Sequence, residues 1–181
     1  MIGGAFRGRP LKAPKGSQTR PTKDNVREAW FNILGSVTDA RVLELFAGTG
    51  ALGIEALSRG ARQAVFVESW SEAQKVLTEN LARLGLTAKA TLLKARVERS
   101  LPRLLELGPF DLVLADPPWT DLERSLAHVE RVLKSDLLVA DARVYVGHPS
   151  GYDFAPRLPE LARTDHRAWG DSGASLFRWL P

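Results

Sequence analysis

The sequence predicts an α/β fold with a mostly parallel, doubly wound sheet, and three observations lead there. Short apolar runs alternate with segments of helical periodicity from Arg41 onward, as expected of strands crossed over by helices. A glycine-rich stretch, Ala47-Gly48-Thr49-Gly50-Ala51-Leu52-Gly53, separates the first run from its helix. The run Phe110–Ala115 stops at Asp116-Pro117-Pro118-Trp119, where proline, having no N–H, cannot continue a central strand. At 181 residues and 44% apolar content, the chain can bury one domain core and carry a short appendage.

Taken in order, Gly3-Gly4 and Gly8-Arg9-Pro10 punctuate a segment holding Phe6 and Leu11, which predicts an irregular hairpin, followed by a loop over 14–21. Val26, Ala29, Trp30, Ile33 and Leu34 recur at helical spacing, with Thr22 as N-cap, Gly35 as the stop, and Lys23 and Arg27 turned outward. Strands are expected at 41–46, 63–68, 89–93, 110–115 and 142–146, and helices at 50–58, 71–84 and 98–107. Ser71 with Gln74 and Thr120 with Glu123 read as capping boxes. The second opens a helix striped by Leu122, Leu126, Val129 and Leu133. Residues 161–169 and 176–180, around Gly170-Asp171-Ser172-Gly173, complete seven strands as an antiparallel pair. Residues 1–35 form a basic extension and 36–181 the main domain.

Charge and composition narrow the function classes. The net charge is +4, but residues 1–35 hold seven basic residues against two acidic ones, leaving the remainder at −1. A basic arm on a near-neutral body suits a polyanion, and its candidate contacts are Arg7, Arg9, Lys12, Arg20, Lys23 and Arg27. Cysteine is absent, which excludes disulfides, thiolate zinc sites and cysteine nucleophiles. His128, His148 and His166 lack metal-ligand spacing and read as surface or helix-face residues. No stretch approaches the ~20 apolar residues of a membrane span, so a soluble cytoplasmic protein without metal is expected.

The carboxyl edge of the sheet is where such folds bind ligands. There Asp116, the Pro117 carbonyl and the Trp119 ring would clamp a flat group carrying an amine, a base on an aromatic face being worth roughly 1–3 kcal/mol. Gly48, Gly50 and Gly53 satisfy the dinucleotide fingerprint, with Glu68 about 20 residues on as a ribose-binding acid. Glu44 would repel a pyrophosphate, whereas it suits the ammonium and sulfonium of S-adenosylmethionine. A dinucleotide-dependent oxidoreductase and a non-catalytic RNA-binding or ribosome-assembly protein remain the alternatives.

The chain also resembles the RsmD family of bacterial small-subunit ribosomal RNA guanine-N2 methyltransferases. The likeness rests on Ile2-Gly3-Gly4 with Arg7-Gly8-Arg9, on Arg20-Pro21-Thr22 with Val26-Arg27-Glu28 and Phe31-Asn32, on Phe46 to Gly53 with Glu55-Ala56-Leu57-Ser58-Arg59-Gly60-Ala61, and on Asp116-Pro117-Pro118-Trp119. It implies a Rossmann-like class I S-adenosylmethionine-dependent methyltransferase domain, acting as a monomer on ribosomal RNA or the small subunit. Asp116, Pro117 and Trp119 would then be catalytic, and Glu44, Phe46, Gly48, Gly50, Glu68, Ser69, Arg96, Val97 and Asp116 would hold the cofactor. Two departures stand out. Arg96 takes the place of the family's usual Asp or Asn beside the adenine, and Gly147 that of a frequent Glu.

Overall fold

The computed structural model describes residues 1–14, 24–155 and 159–180. Helix α1 (Asp24–Leu34) precedes an alternating series: β1 (Arg41–Leu45), α2 (Ala51–Ser58), β2 (Gln63–Glu68), α3 (Ser71–Arg83), β3 (Ala90–Lys94), α4 (Val97–Leu107), β4 (Phe110–Ala115) and α5 (Leu122–Leu133). Strands β5 (Leu138–Pro149), β6 (Leu161–Trp169) and β7 (Ser172–Trp179) follow. They form one seven-stranded sheet in the order β3-β2-β1-β4-β5-β7-β6. The first five run parallel, and β7 lies antiparallel between β5 and β6.

Alternation along the central strands explains the two cores. Val42, Phe66, Leu112 and Leu114 join Trp30, Ile54, Leu57 and Leu77 on one face, while Leu43, Val65, Val67 and Val113 meet Leu104, Leu126 and Val129 on the other. Both faces are covered, so these strands read as continuous apolar runs.

Most expected elements are present, with differences that have local causes. Strand β1 stops one residue early because Phe46 turns to φ 56. Strand β5 starts earlier than expected: a register shift against β4, with Asp141 at φ 61, lets Leu138 pair with Phe110 before the regular ladder begins. Neither capping box forms. Trp70 caps α3 without a side-chain bond, and Gln74 Nε2 donates instead to the Glu68 carbonyl at 2.8 Å. The chain leaves Pro118 through a 3-10 turn, Trp119–Asp121, which absorbs Thr120 and makes Asp121 the cap of α5.

The N-terminal hairpin also needs correction. Residues 1–12 form a strap around a 3-10 turn, Gly4–Phe6, closed by backbone bonds from Gly8 N to Met1 O and Met1 N to Arg9 O. The strap is riveted to the body. Ile2 N and Gly3 N donate to the buried Glu55 carboxylate, Phe6 N to Ser58 Oγ, and Lys12 N to Asn80 Oδ1. Helix α1 ends at Leu34 before Gly35, which adopts φ 70. Thr22 lies outside the described residues.

Candidate active site

The site grows from the carboxyl ends of β1, β2 and β4, where β1 lies between β2 and β4 and the strand order reverses, the usual place for a ligand in an open α/β sheet. After β1 the chain turns through Phe46 at φ 56, Gly48 at φ 54 and Gly50 at φ 77. Gly50 must be glycine twice over, since a side chain disfavours that φ and a Cβ there would also stand 2.2 Å from Leu77 Cδ1. A Cβ on Gly48 would meet nothing within 4 Å, so the loop's backbone faces open space. Glu68, ending β2, accepts hydrogen bonds from Gly48 N at 2.6 Å and Trp70 N at 2.7 Å. That carboxylate sets the loop's position.

Beside this loop lies a cavity of about 340 Å³. Five residues anticipated from the sequence, Phe46, Glu68, Ser69, Arg96 and Val97, line it together with Pro118. The opposite wall was not anticipated: Asp121, Arg124, Ser125 and His128 come from the start of α5, and Glu98 from α4. Helical spacing could have grouped Arg124, Ser125 and His128 of α5 with its cap Asp121, since these share one face, though not with Glu98 of α4. His128 Nε2 stands 3.8 Å from Glu98 Oε2, and Arg96 Nη1 lies 3.8 Å from Glu98 Oε1. The backbone N–H of Glu98, then His128 and Arg96, hold the Glu98 carboxyl below its ordinary range against the opposing effect of burial.

Glu44 differs from expectation. It does not line the cavity; it is 3% exposed and accepts from Gly53 N at 2.8 Å and Leu52 N at 3.3 Å. The free N–H groups and positive dipole of α2's first turn draw the carboxylate inward. Burial pushes its pKa up to about 8 despite those two donors, with Asp116 and Glu68 adding to the rise.

At the end of β4, Asp116 is half-buried and Pro117 buried. The Asp116 carboxylate lies over Gly147 of β5. Burial first, and Asp116 second, raise the phenol pKa of the nearby Tyr145. Trp119 leaves the sheet 39% exposed, and Trp70, which sequence reasoning passed over, is a second exposed ring at the same edge.

Of the basic candidates, Arg7, Arg9 and Lys12 are exposed on the strap. Arg9 lies over the Phe6 ring, and Lys12 Nζ pairs with Glu79 at 2.7 Å. Arg27 was expected outward and is instead 5% exposed, because it falls in the same helical stripe as Trp30, Phe31 and Leu34. Arg20 and Lys23 lie outside the described residues. The expectation of surface histidines fails for His148, which is fully buried, bonded to Ser175 Oγ at 3.0 Å and stacked on His166. Among the described residues no cluster of potential metal ligands occurs, and no helix is long and apolar enough to cross a membrane.

Comparison with known proteins places this geometry. The solved structure of yhhF from Escherichia coli, provisionally named a methyltransferase, superposes with a TM-score of 0.82 at 31% identity, covering 100% of this chain and 97% of that one. A hypothetical protein of Thermus thermophilus gives 0.79 at 32%, over 97% and 96%. In sequence, YlbH of Bacillus subtilis, whose name assigns it provisionally to the rRNA methyltransferases, is 34% identical over 98% of this chain and 97% of its own length. The ribosomal RNA small subunit methyltransferase D of E. coli K12 is 42% identical over 66% of this chain, an alignment spanning 59% of that enzyme. The family model described as conserved hypothetical protein 95 matches residues 1–178. A class I methyltransferase sheet, a glycine turn held by Glu68 and an Asp-Pro-Pro-Trp corner thus sit within one family match over nearly the whole chain, which belongs to the RsmD family.

Proposed function

We propose that this protein transfers a methyl group from S-adenosylmethionine to the exocyclic N2 of a guanine in small-subunit ribosomal RNA, in the cytoplasm and as a single chain. The observation that carries the reading is the Asp116 carboxylate, held over Gly147 at the end of β4 and two residues before Pro118, which lines the cavity with Glu68. The names of the E. coli and B. subtilis relatives support ribosomal RNA as the substrate class.

The residues present fit the cofactor. Glu68 is placed for ribose hydroxyls, Phe46, Ser69, Arg96 and Val97 form the cavity's near wall, and the open face of Gly48 admits close approach. Glu44 stays behind the loop, where it accepts from Leu52 N and Gly53 N and fixes the first turn of α2. When bound, S-adenosylmethionine supplies an electrophilic methyl on a sulfonium.

The chain's own task is to prepare the nucleophile. A guanine amine is weakly nucleophilic because its lone pair is delocalised into the ring. Accepting its two N–H bonds at Asp116 and the Pro117 carbonyl turns that lone pair out of conjugation and aims it. Orientation of this kind is worth up to roughly 7–11 kcal/mol. Asp116 and the Trp119 face then stabilise the positive charge that develops on nitrogen, and Asp116 or water takes the proton. A base must leave its stack to reach this corner, at a few kcal/mol, which phosphate contacts from Arg7, Arg9 and Lys12 offset.

The test is transfer of labelled methyl to small subunits and to naked ribosomal RNA from a strain lacking the gene. Mass spectrometry of the digested nucleosides should find N2-methylguanosine in small-subunit RNA. Label confined to DNA, protein or another nucleoside would refute the substrate assignment.

A further inference from the structure

A second cavity, of about 160 Å³, lies between the strap and the end of α3, lined by Arg9, Pro10 and Leu11 on one side and Asn80, Arg83 and Leu84 on the other. Its shape is fixed from within. Asn80 is 1% exposed, and its amide accepts from Lys12 N at 2.8 Å and donates to Lys12 O at 3.1 Å and Thr49 O at 3.3 Å. Arg9 is set in place by backbone bonds to Phe6 O and from Met1 N, and its guanidinium lies 5.4 Å over the Phe6 ring, which packs on the core. A guanidinium stacked by its face keeps its N–H edge for a ligand.

Charge in this cleft is unbalanced. Glu79, one helical turn before Arg83, already pairs with Lys12 at 2.7 Å. Among the described residues neither Arg9 nor Arg83 forms an ion pair with a carboxylate. The negative end of the α3 dipole accounts for a cation at Arg83, but not for a second guanidinium lining the same cavity from the strap.

Resting on the reading of ribosomal RNA as substrate, we infer that this cleft holds one backbone phosphate of the RNA between Arg9 and Arg83, so that α3 of the body shares the contact with the basic arm. The planar fork of each guanidinium matches phosphate oxygens. Pro10, Leu11 and Leu84 give the adjoining sugar an apolar wall. A phosphate contact of this kind fixes register and reads no base.

Filter binding of the full chain to small-subunit ribosomal RNA and to small subunits, over a salt series, tests this, with S-adenosylhomocysteine affinity measured on the same samples. Arg83→Ala should weaken RNA binding about tenfold and leave the cofactor product unaffected; Arg83→Gln replaces it if the alanine variant fails to fold. Arg9→Ala should cost less in the Arg83→Ala background than in the wild type, because the two share a partner. The double variant should flatten the logarithmic salt slope by about one unit, the value for one phosphate. Additive losses with a slope change near two would assign the arginines to separate phosphates and overturn the shared site. Unchanged RNA affinity in Arg83→Ala, or an equal loss of S-adenosylhomocysteine affinity, would overturn it too. So would saturable binding of inorganic phosphate that Arg83→Ala abolishes while RNA affinity holds, since the cleft would then serve a free anion. Failure of the wild type to bind either RNA or subunits would remove the substrate reading itself.

Discussion

Asp116 and Gly147 are in such close register across β4 and β5 that a Cβ on Gly147 would stand 2.4 Å from Asp116 Oδ1 and 3.1 Å from its Cγ. The atoms in the way are the mobile end of a side chain, so a methyl there would turn the carboxylate aside without unfolding the sheet. Gly147→Ala should therefore lower kcat by about ten- to a hundredfold, the scale of a misplaced catalytic group. Cofactor affinity should hold. Single-turnover kinetics beside calorimetry checks the split, and a weakened cofactor with unchanged turnover would reverse the assignment.

Glu44 makes stability depend on pH. Its carboxyl rises from an ordinary value of 4.5 to about 8 on folding, so the native state binds more protons than the unfolded chain between those values. The stabilisation is complete below pH 4.5 and is lost as pH climbs toward 8. Thermal melting across this window should show wild-type stability falling relative to Glu44→Gln, which keeps the neutral form throughout. Parallel curves for the two proteins would show that Glu44 is ionised in the fold.

The strap depends on Glu55, fully buried and bonded to Ile2 N, Gly3 N and Arg59 Nε at 2.7 to 2.9 Å. Glu55→Ala should destabilise the protein by about 3 kcal/mol, as expected when one partner of a buried charged network is removed. Trypsin should then cut at Arg7 or Lys12 well before the body. Unchanged melting and proteolysis would mean that the strap is held by its apolar contacts alone.

Charge on the strap should govern RNA affinity and leave the cofactor alone. Arg7→Glu with Arg9→Glu should weaken RNA binding and flatten its logarithmic salt dependence by about one to two units. Filter binding over a salt series measures both. A slope that does not move would assign the phosphate contacts elsewhere.

Much of this architecture was legible because period and punctuation agree. Phe110–Ala115 and Gln63–Glu68 have the bounds expected of them, since apolar runs closed by proline or followed by a cap have one reading. Glu68 could be picked out by its distance from the glycines. Arg27 could not, because an arginine in an amphipathic stripe looks solvent-facing until Trp30 and Phe31 bury the turn around it. Ser71 with Gln74 and Thr120 with Glu123 have capping-box spacing, but the strand ends before them set the chain's direction. Ser125 escapes notice and His128 reads only as a surface or helix-face residue for a different reason: helical spacing can put them on one face of α5, but their meeting with Arg96 and Glu98 across the cavity is tertiary.

Whether Asp116 holds an amine for methylation is decided by comparing wild-type protein with Asp116→Ala in labelled-methyl transfer to small-subunit RNA, with S-adenosylhomocysteine binding measured on the same samples. The wild type should yield N2-methylguanosine, and the variant should transfer methyl at a rate lower by at least about a hundredfold while its ligand affinity stays within a few-fold. Undiminished transfer by Asp116→Ala would remove the carboxylate from the chemistry.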